Sequence, residues 1–223
     1  SYVVRTSHHT ILIDTCVGNH KERPLRPDWH RKTDDTWLRN LAALGLTPAD
    51  IDFVMCTHLH VDHVGWNTKL EDGRWVPTFP NARYLIPEAD DQHFGEGAGN
   101  AYKQSVLPVI EAKQAEMVSA GHMLGDNITL IPTPGHTPGH VSVRINSRGE
   151  AGVITGDVFH HPAQIACVDW SNVADSDPEA ADLTRRSFLA RYADTPTLVI
   201  GTHFAGPTAG RLVRDGDTFR LDP

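Results

Sequence analysis

The 223-residue sequence is short of several things, and each shortage removes a class of protein. It has only three cysteines, Cys16, Cys56 and Cys167, too few and odd in number for a disulfide framework, so a reducing, cytoplasmic setting is expected. No apolar run is long enough to span a bilayer, and Ser1 opens no secretory pattern. Basic residues are outnumbered, 20 Lys and Arg against 28 Asp and Glu, for a formal charge of −8. That balance argues against a grip on nucleic acid or an anionic membrane, leaving a small molecule as the expected partner. Internal repeats, low-complexity tracts and Pro/Ser-rich linkers are missing too, so one continuous domain over 1–223 is expected. What is present in excess is histidine, 14 of them, the commonest metal-ligating side chain.

Hydrophobic residues make up 39% of the chain, enough for a core. Short apolar runs predict strands at Tyr2–Thr6, Thr10–Asp14, Ile51–Thr57, Arg83–Ile86, Ile128–Ile131, Val141–Ile145, Val153–Thr155 and Leu198–Ile200. A closing hairpin, Arg211–Val213 with Thr218–Leu221, turns at Asp215-Gly216-Asp217. Helices are predicted after a cap at Thr33 or Asp34, over 101–116, and from Asp177-Pro178, an N-cap followed by proline in the first turn. Strands in groups with helices between them predict a layered α/β fold. The segments 66–81 and 87–114 read as the irregular parts, the second with a stretch at 94–99 too glycine-rich for helix interior ahead of the predicted helix.

The chemistry concentrates at strand ends. Thr57-His58-Leu59-His60-Val61-Asp62-His63 gathers three imidazoles and a carboxylate directly after a predicted strand. Three later positions repeat the arrangement: His136 in a Gly/Pro turn, Asp157 after Thr155-Gly156, and His203 after Gly201-Thr202. In each, a strand ends, a glycine relaxes the backbone and a ligand-type side chain follows. Ends along one edge of a sheet converge, which is where α/β proteins build sites. Imidazole and carboxylate suit Zn²⁺, and the same donors accept iron, manganese or cobalt. The set exceeds what one tetrahedral ion needs and suits two divalent ions.

In this order, from the Ile13-Asp14-Thr15 turn through His-x-His-x-Asp-His at 58–63 to His136, Asp157 and His203, the sequence resembles the metallo-β-lactamase-fold hydrolases. The resemblance implies an αββα sandwich of two facing mixed sheets flanked by helices, with one more strand ahead of the Tyr2–Asp14 hairpin. It implies that His58, His60 and His136 hold one metal, that Asp62, His63 and His203 hold the other, and that Asp157 bridges them. A bridging hydroxide would then attack an ester-like small molecule, with Asp62 orienting it or taking a proton. A mononuclear iron oxygenase and a non-catalytic metal-binding module are the alternatives within the same fold.

Departures narrow the branch. Asp157 speaks against the antibiotic-hydrolysing enzymes, which generally lack an acid there; His60 against the flavodiiron type, which carries an acid at that position. Only twenty residues follow His203, where glyoxalase II-type thioesterases carry a helical domain, and no added nuclease clamp is visible. The loops Asp14–Asn19 and Asp62–Asn67 and the turn Thr133–His140 look most like lactonases and methyl parathion hydrolase-like proteins, a family in which homodimers are usual. Acyl-homoserine lactonases place a tyrosine three residues past the bridging acid; here His160 stands there, as a pocket donor or as a plain surface residue. Trp66, Trp75, Phe79, Phe94 and Phe159 either line an apolar pocket or fill the core. His8, His9, His20, His30, His93 and His122 are expected to face solvent, His140 to support the turn, and Cys16 and Cys56 to be inert.

Overall fold

A computed structural model describes residues 1–223, which divide into two compact units, 1–118 and 119–223. The first holds β1 (Tyr2–Arg5), β2 (Thr10–Ile13), α1 (Thr36–Ala43), β3 (Phe53–Met55), β4 (Thr68–Glu71), β5 (Arg74–Pro77), β6 (Arg83–Pro87), α2 (Glu88–Gly95), α3 (Asn100–Ser105), α4 (Leu107–Glu111) and β7 (Ala115–Val118). Its main sheet runs β1-β2-β3-β6-β7, antiparallel at β1/β2 and parallel elsewhere. The parallel strands are short and apolar, and residues of both faces are buried: Leu12, Val54, Tyr84 and Ile86 of one face pack with Leu41, Leu59, Phe79 and Val109, and Ile11, Ile13, Met55 and Leu85 of the other are also inaccessible.

The second unit holds β8 (Met123–Leu124), β9 (Ile128–Pro132), β10 (Val141–Ser147), β11 (Glu150–Ile154), α5 (Ala163–Ala166), α6 (Pro178–Tyr192), β12 (Leu198–Ile200), β13 (Ala209–Asp215) and β14 (Thr218–Asp222). Its sheet runs β14-β13-β12-β11-β10-β9-β8, parallel only at β11/β12. Val153, Val199 and Leu212 of the sheet pack with Phe188, Leu189 and Tyr192 of α6. Helix α6 begins as its sequence predicts: the Asp177 carboxylate accepts the Ala180 amide at 3.0 Å, and Pro178 occupies the first turn.

Three sequence expectations give way. The helix predicted over 101–116 is broken into α3 and α4, and its last residues form β7. Pro108 explains the break, since its ring displaces the carbonyl four residues back and it has no amide to offer. That carbonyl, on Gln104, accepts instead from Lys21 Nζ at 2.9 Å and from the Thr68 hydroxyl. Lys21 is wholly buried, its Nζ 2.5 Å from Thr68 Oγ1 and 3.6 Å from the centre of the Trp75 ring. Burial, with Arg23 nearby, pushes its amine down to about 6. The other two differences lie in segments read as irregular: β4 and β5 form a hairpin within 66–81, turning at Asp72-Gly73, and α2 occupies Glu88–Gly95.

One close approach positions the chemistry of the first unit. A Cβ on Gly65 would fall 2.0 Å from the Val17 carbonyl carbon, and one on Gly18, whose φ is +70°, would fall 2.6 Å from Gly65. The gap lets the Gly65 and Trp66 amides donate to Cys16 and Thr15 carbonyls at 2.7 and 2.9 Å, locking the loop after β2 against the loop after β3. Because the obstructing atoms are backbone, Gly65→Ala is expected to cost about 3 kcal/mol and to lower the melting temperature by roughly 6–12 °C. An unchanged melting curve would contradict this packing.

Candidate metal centre

In the first unit the parallel strands deliver their side chains at their carboxyl ends. Asp14 follows β2, His58 to His63 follow β3, and Asp90 lies just past β6. Asp14, at φ +56°, turns its carboxylate onto the next loop. It accepts the Thr57 amide at 2.7 Å, the Thr57 hydroxyl at 2.8 Å and His63 Nδ1 at 2.8 Å. With its hydrogen given to Asp14, the Thr57 hydroxyl accepts from His58 Nδ1 at 3.0 Å. Both rings therefore carry a proton on Nδ1 and turn Nε2 away from these partners. Their centres lie 4.0 Å apart, and His60 stands edge-on to His58 at 4.8 Å and to Phe94 at 5.6 Å. Asp62 Oδ2 is 3.8 Å from His63 Nε2. The buried Asp90 carboxylate accepts the Leu59 amide at 3.0 Å and holds the loop between the first two histidines.

In the second unit β9, β11 and β12 run in one direction, so His136, Asp157 and His203 emerge at the same edge. Three imidazoles crowd one carboxylate oxygen: Asp157 Oδ2 lies 3.1 Å from Nε2 of His160, 3.1 Å from Nε2 of His203 and 3.4 Å from Nε2 of His136. His160 stacks on His203 with ring centres 5.4 Å apart, and its own amide donates to Gln164 at 2.6 Å. His160 is thus placed on Asp157, not on the open surface.

The His136 ring has a fixed proton as well. Its Nδ1 donates to Asp175 Oδ1 at 2.9 Å, and Asp175 Oδ2 meets Arg185 at 3.3 Å. Burial alone would raise the Asp175 carboxyl, but His136, the Asn172 amide and Arg185 together hold it below the usual carboxylate value. His136 Nε2 faces the Asp157 carboxylate at 3.4 Å. The donors present, neutral imidazole and carboxylate, are those divalent ions such as zinc accept, so the residues fit a metal.

His140 serves differently. Its Nε2 accepts the Asp157 amide at 2.8 Å, and its Nδ1 donates to Thr133 Oγ1 at 2.9 Å. Thr133 passes its hydrogen to Ser142 at 3.1 Å, and Ser142 to the Thr155 carbonyl at 2.8 Å. With both nitrogens engaged, His140 has nothing to give a metal; it fixes the backbone of Asp157.

Of the two readings open for the aromatics, Trp66, Phe79 and Phe159 take the core one: Phe79 and Phe159 are fully buried, and Trp66 stacks on Trp37 at 5.7 Å. Trp75 is engaged by Lys21, which leaves Phe94 as the aromatic beside a site histidine. His8, His9, His20 and His93 are exposed, whereas His30 is half-buried and accepts the Arg23 amide, and His122 is half-buried. Burial and the Asp14 charge push the Cys56 thiol up to about 12, so it is inert. Asp175 and Arg185 were not foreseen; the pair of Asn172 and Asp175 ahead of the Asp177 cap was the only available signal of an ordered loop there.

Removal of the His140 ring strands a buried amide and a buried hydroxyl. His140→Ala is expected to cost about 2–3 kcal/mol, read as a melting temperature lower by roughly 4–12 °C. A variant as stable as the parent would show that the relay does not bear on Asp157.

Comparison with known proteins agrees with this fold. Among sequence relatives, an N-acyl homoserine lactonase of Bacillus sp is 25% identical over 166 residues, 69% of this chain and 60% of the relative. An uncharacterized protein, YobT, of Bacillus subtilis is 30% identical over 123 residues, 52% of this chain and 49% of its own. The chain thus spans about half to three-fifths of the length of these curated relatives. Among solved structures, AidC, described as a dizinc quorum-quenching lactonase, superposes with a TM-score of 0.81 at 22% identity, covering 99% of this chain and 77% of its own. The hydrolase AbOPH gives 0.82 at 25% identity, with the same coverage. The family profile described as the metallo-beta-lactamase superfamily matches residues 1–203, and the chain belongs to that superfamily and has its fold.

Proposed function

We propose that this chain is a dinuclear metal-dependent hydrolase of a small ester-like molecule, a lactone, an aryl ester or a phosphotriester. The observation that carries the reading is the Asp157 carboxylate oxygen surrounded by three imidazole nitrogens at 3.1–3.4 Å, one of them on a ring anchored at its other nitrogen by Asp175. His58, His60 and His136 would hold one ion, Asp62, His63 and His203 the other, and Asp157 would be shared. The family order of these residues supports that division. When bound, such a pair of ions lowers the pKa of a shared water from about 15.7 toward ~7 and polarises the substrate oxygen.

The chain's own residues do the rest. Asp14 and Thr57 engage Nδ1 of His63 and of His58 and turn Nε2 of each ring forward, the nitrogen each would offer as a ligand. Asp62, held near His63 and partly open to solvent, is placed to accept a hydrogen bond from the attacking water and to take its proton. The backbone of Asp157 is immobilised by His140, so its carboxylate keeps its aim. His160, beside that carboxylate, is placed to donate to the carbonyl or phosphoryl oxygen of the substrate, the task a tyrosine performs in acyl-homoserine lactonases. A shorter, bifunctional imidazole there favours aryl esters and phosphotriesters over long-chain acyl lactones. The relatives named as N-acyl homoserine lactonases keep lactones within the substrate class.

Elemental analysis of the purified protein, joined to a chromogenic panel of aryl acetates, γ- and δ-lactones, paraoxon-type triesters and a cephalosporin, tests this. About two divalent ions per chain are expected, with chelator-sensitive turnover of at least one of the first three classes. Asp157→Ala and His136→Ala should each lose more than about a thousand-fold while remaining folded, because each removes a group the chemistry needs outright. A metal-replete protein inert on the whole panel, or either variant at full activity, would overturn the reading.

A further inference from the structure

Behind His136 stands a second layer that the hydrolytic reading does not use. The Asp175 side chain is completely enclosed and the Arg185 side chain is 1% exposed. Burying a carboxylate with a guanidinium is expensive, and a pair of apolar side chains would often serve stability as well. Their hydrogen bonds point toward a purpose. One Asp175 oxygen takes His136 Nδ1; the other takes Arg185 Nη1 and the Asn172 amide. Arg185 reaches from the middle of α6 and also donates its Nε to the Val168 carbonyl at 3.1 Å, so both ends of the 168–175 loop are tied to one guanidinium.

We propose that Asp175, braced by Arg185, is a positioning residue for His136, setting its Nδ1–H tautomer and ring plane so that Nε2 is the atom offered to a metal ion. This rests on the reading of His136 as a ligand.

The backbone alone does not achieve this. The turn that carries His136 is bolted to the start of α6: Thr184 Oγ1 donates to the Pro134 carbonyl at 2.6 Å, the Ser176 amide to His136 at 3.0 Å and the Asp177 amide to Gly135 at 2.9 Å. Gly135 is obligatory there, since a Cβ at its φ of +125° would fall 2.2 Å from the Ala181 nitrogen. These contacts fix where the ring is rooted but not which way it faces. A half-turn about the last side-chain bond would put carbon where Nε2 stands, and the other tautomer would put a hydrogen there. Asp175 excludes both, because only Nδ1–H in the observed ring orientation makes its hydrogen bond.

Removing Asp175 alone would leave Arg185 as an unpaired buried charge, so the test uses neutral pairs. In Asp175→Ala with Arg185→Met the acceptor is gone; in Asp175→Asn with Arg185→Met an amide oxygen still faces Nδ1. After confirmation of folding by circular dichroism, the alanine pair should bind zinc about 10–100-fold more weakly than the parent in competition with a chromophoric chelator. The asparagine pair should recover most of that loss, and kcat should fall in the alanine pair with KM little changed. In the metal-free parent, long-range ¹H–¹⁵N NMR should show His136 as the Nδ1–H tautomer, a readout that needs no variant to fold. An Nε2–H tautomer in the parent, or a folded alanine pair binding zinc within two-fold of it, would overturn the positioning role. A parent that takes up no zinc at all would instead overturn the metal reading, and this role with it.

Discussion

The ligand-type histidines of each unit depend on what holds their Nδ1 atoms. Asp14 and Thr57 engage Nδ1 of His63 and His58 in the first unit, and Asp175 engages that of His136 in the second, so each ring turns Nε2 forward. In the second unit that nitrogen stands 3.4 Å from a carboxylate oxygen with two further imidazoles around it. Imidazoles gathered on a carboxylate are the donor set that a divalent ion accepts. The same logic separates His140 from the ligand-type histidines: both of its nitrogens are engaged, and it supports a neighbour.

Each unit earns its share of that arrangement from strand direction. In the first, three parallel strands end together, and the loops that follow carry Asp14, the His58–His63 cluster and Asp90. In the second, β9, β11 and β12 do the same for His136, Asp157 and His203. The strands need be only three to five residues long, because an apolar cluster in each unit holds them and the chemistry sits just past their ends. Glycine at 65 and at 135 permits backbone approaches of a kind no side chain allows, and both lie within two residues of a site histidine.

Much of this was legible in the sequence for a physical reason: a ligand after a strand end is a local pattern, and its spacing shows without the fold. His58, His60, Asp62 and His63 announce themselves, and the strands at 128–132, 141–147 and 198–200 follow from apolar runs. Partners that act from a distance do not show. Asp175 is 39 residues from His136, in a stretch of mixed loop residues, and Arg185 reads as an ordinary helix cation until its burial is known. Aromatic residues stand open between pocket wall and core in the sequence, since composition says nothing about which way a ring points. Trp66, Phe79 and Phe159 point into the core. The helix expected through 101–116 failed at Pro108, a breaker visible in the sequence whose consequence, a Gln104 carbonyl released to Lys21, was not.

X-ray absorption spectroscopy on zinc-loaded protein addresses the central claim most directly. The account predicts a shell of nitrogen and oxygen at ~2.0–2.2 Å with the outer-shell scattering of several imidazoles and no sulfur. A zinc–sulfur distance of about 2.3 Å, or a spectrum without imidazole scattering, would place the metal elsewhere and contradict it.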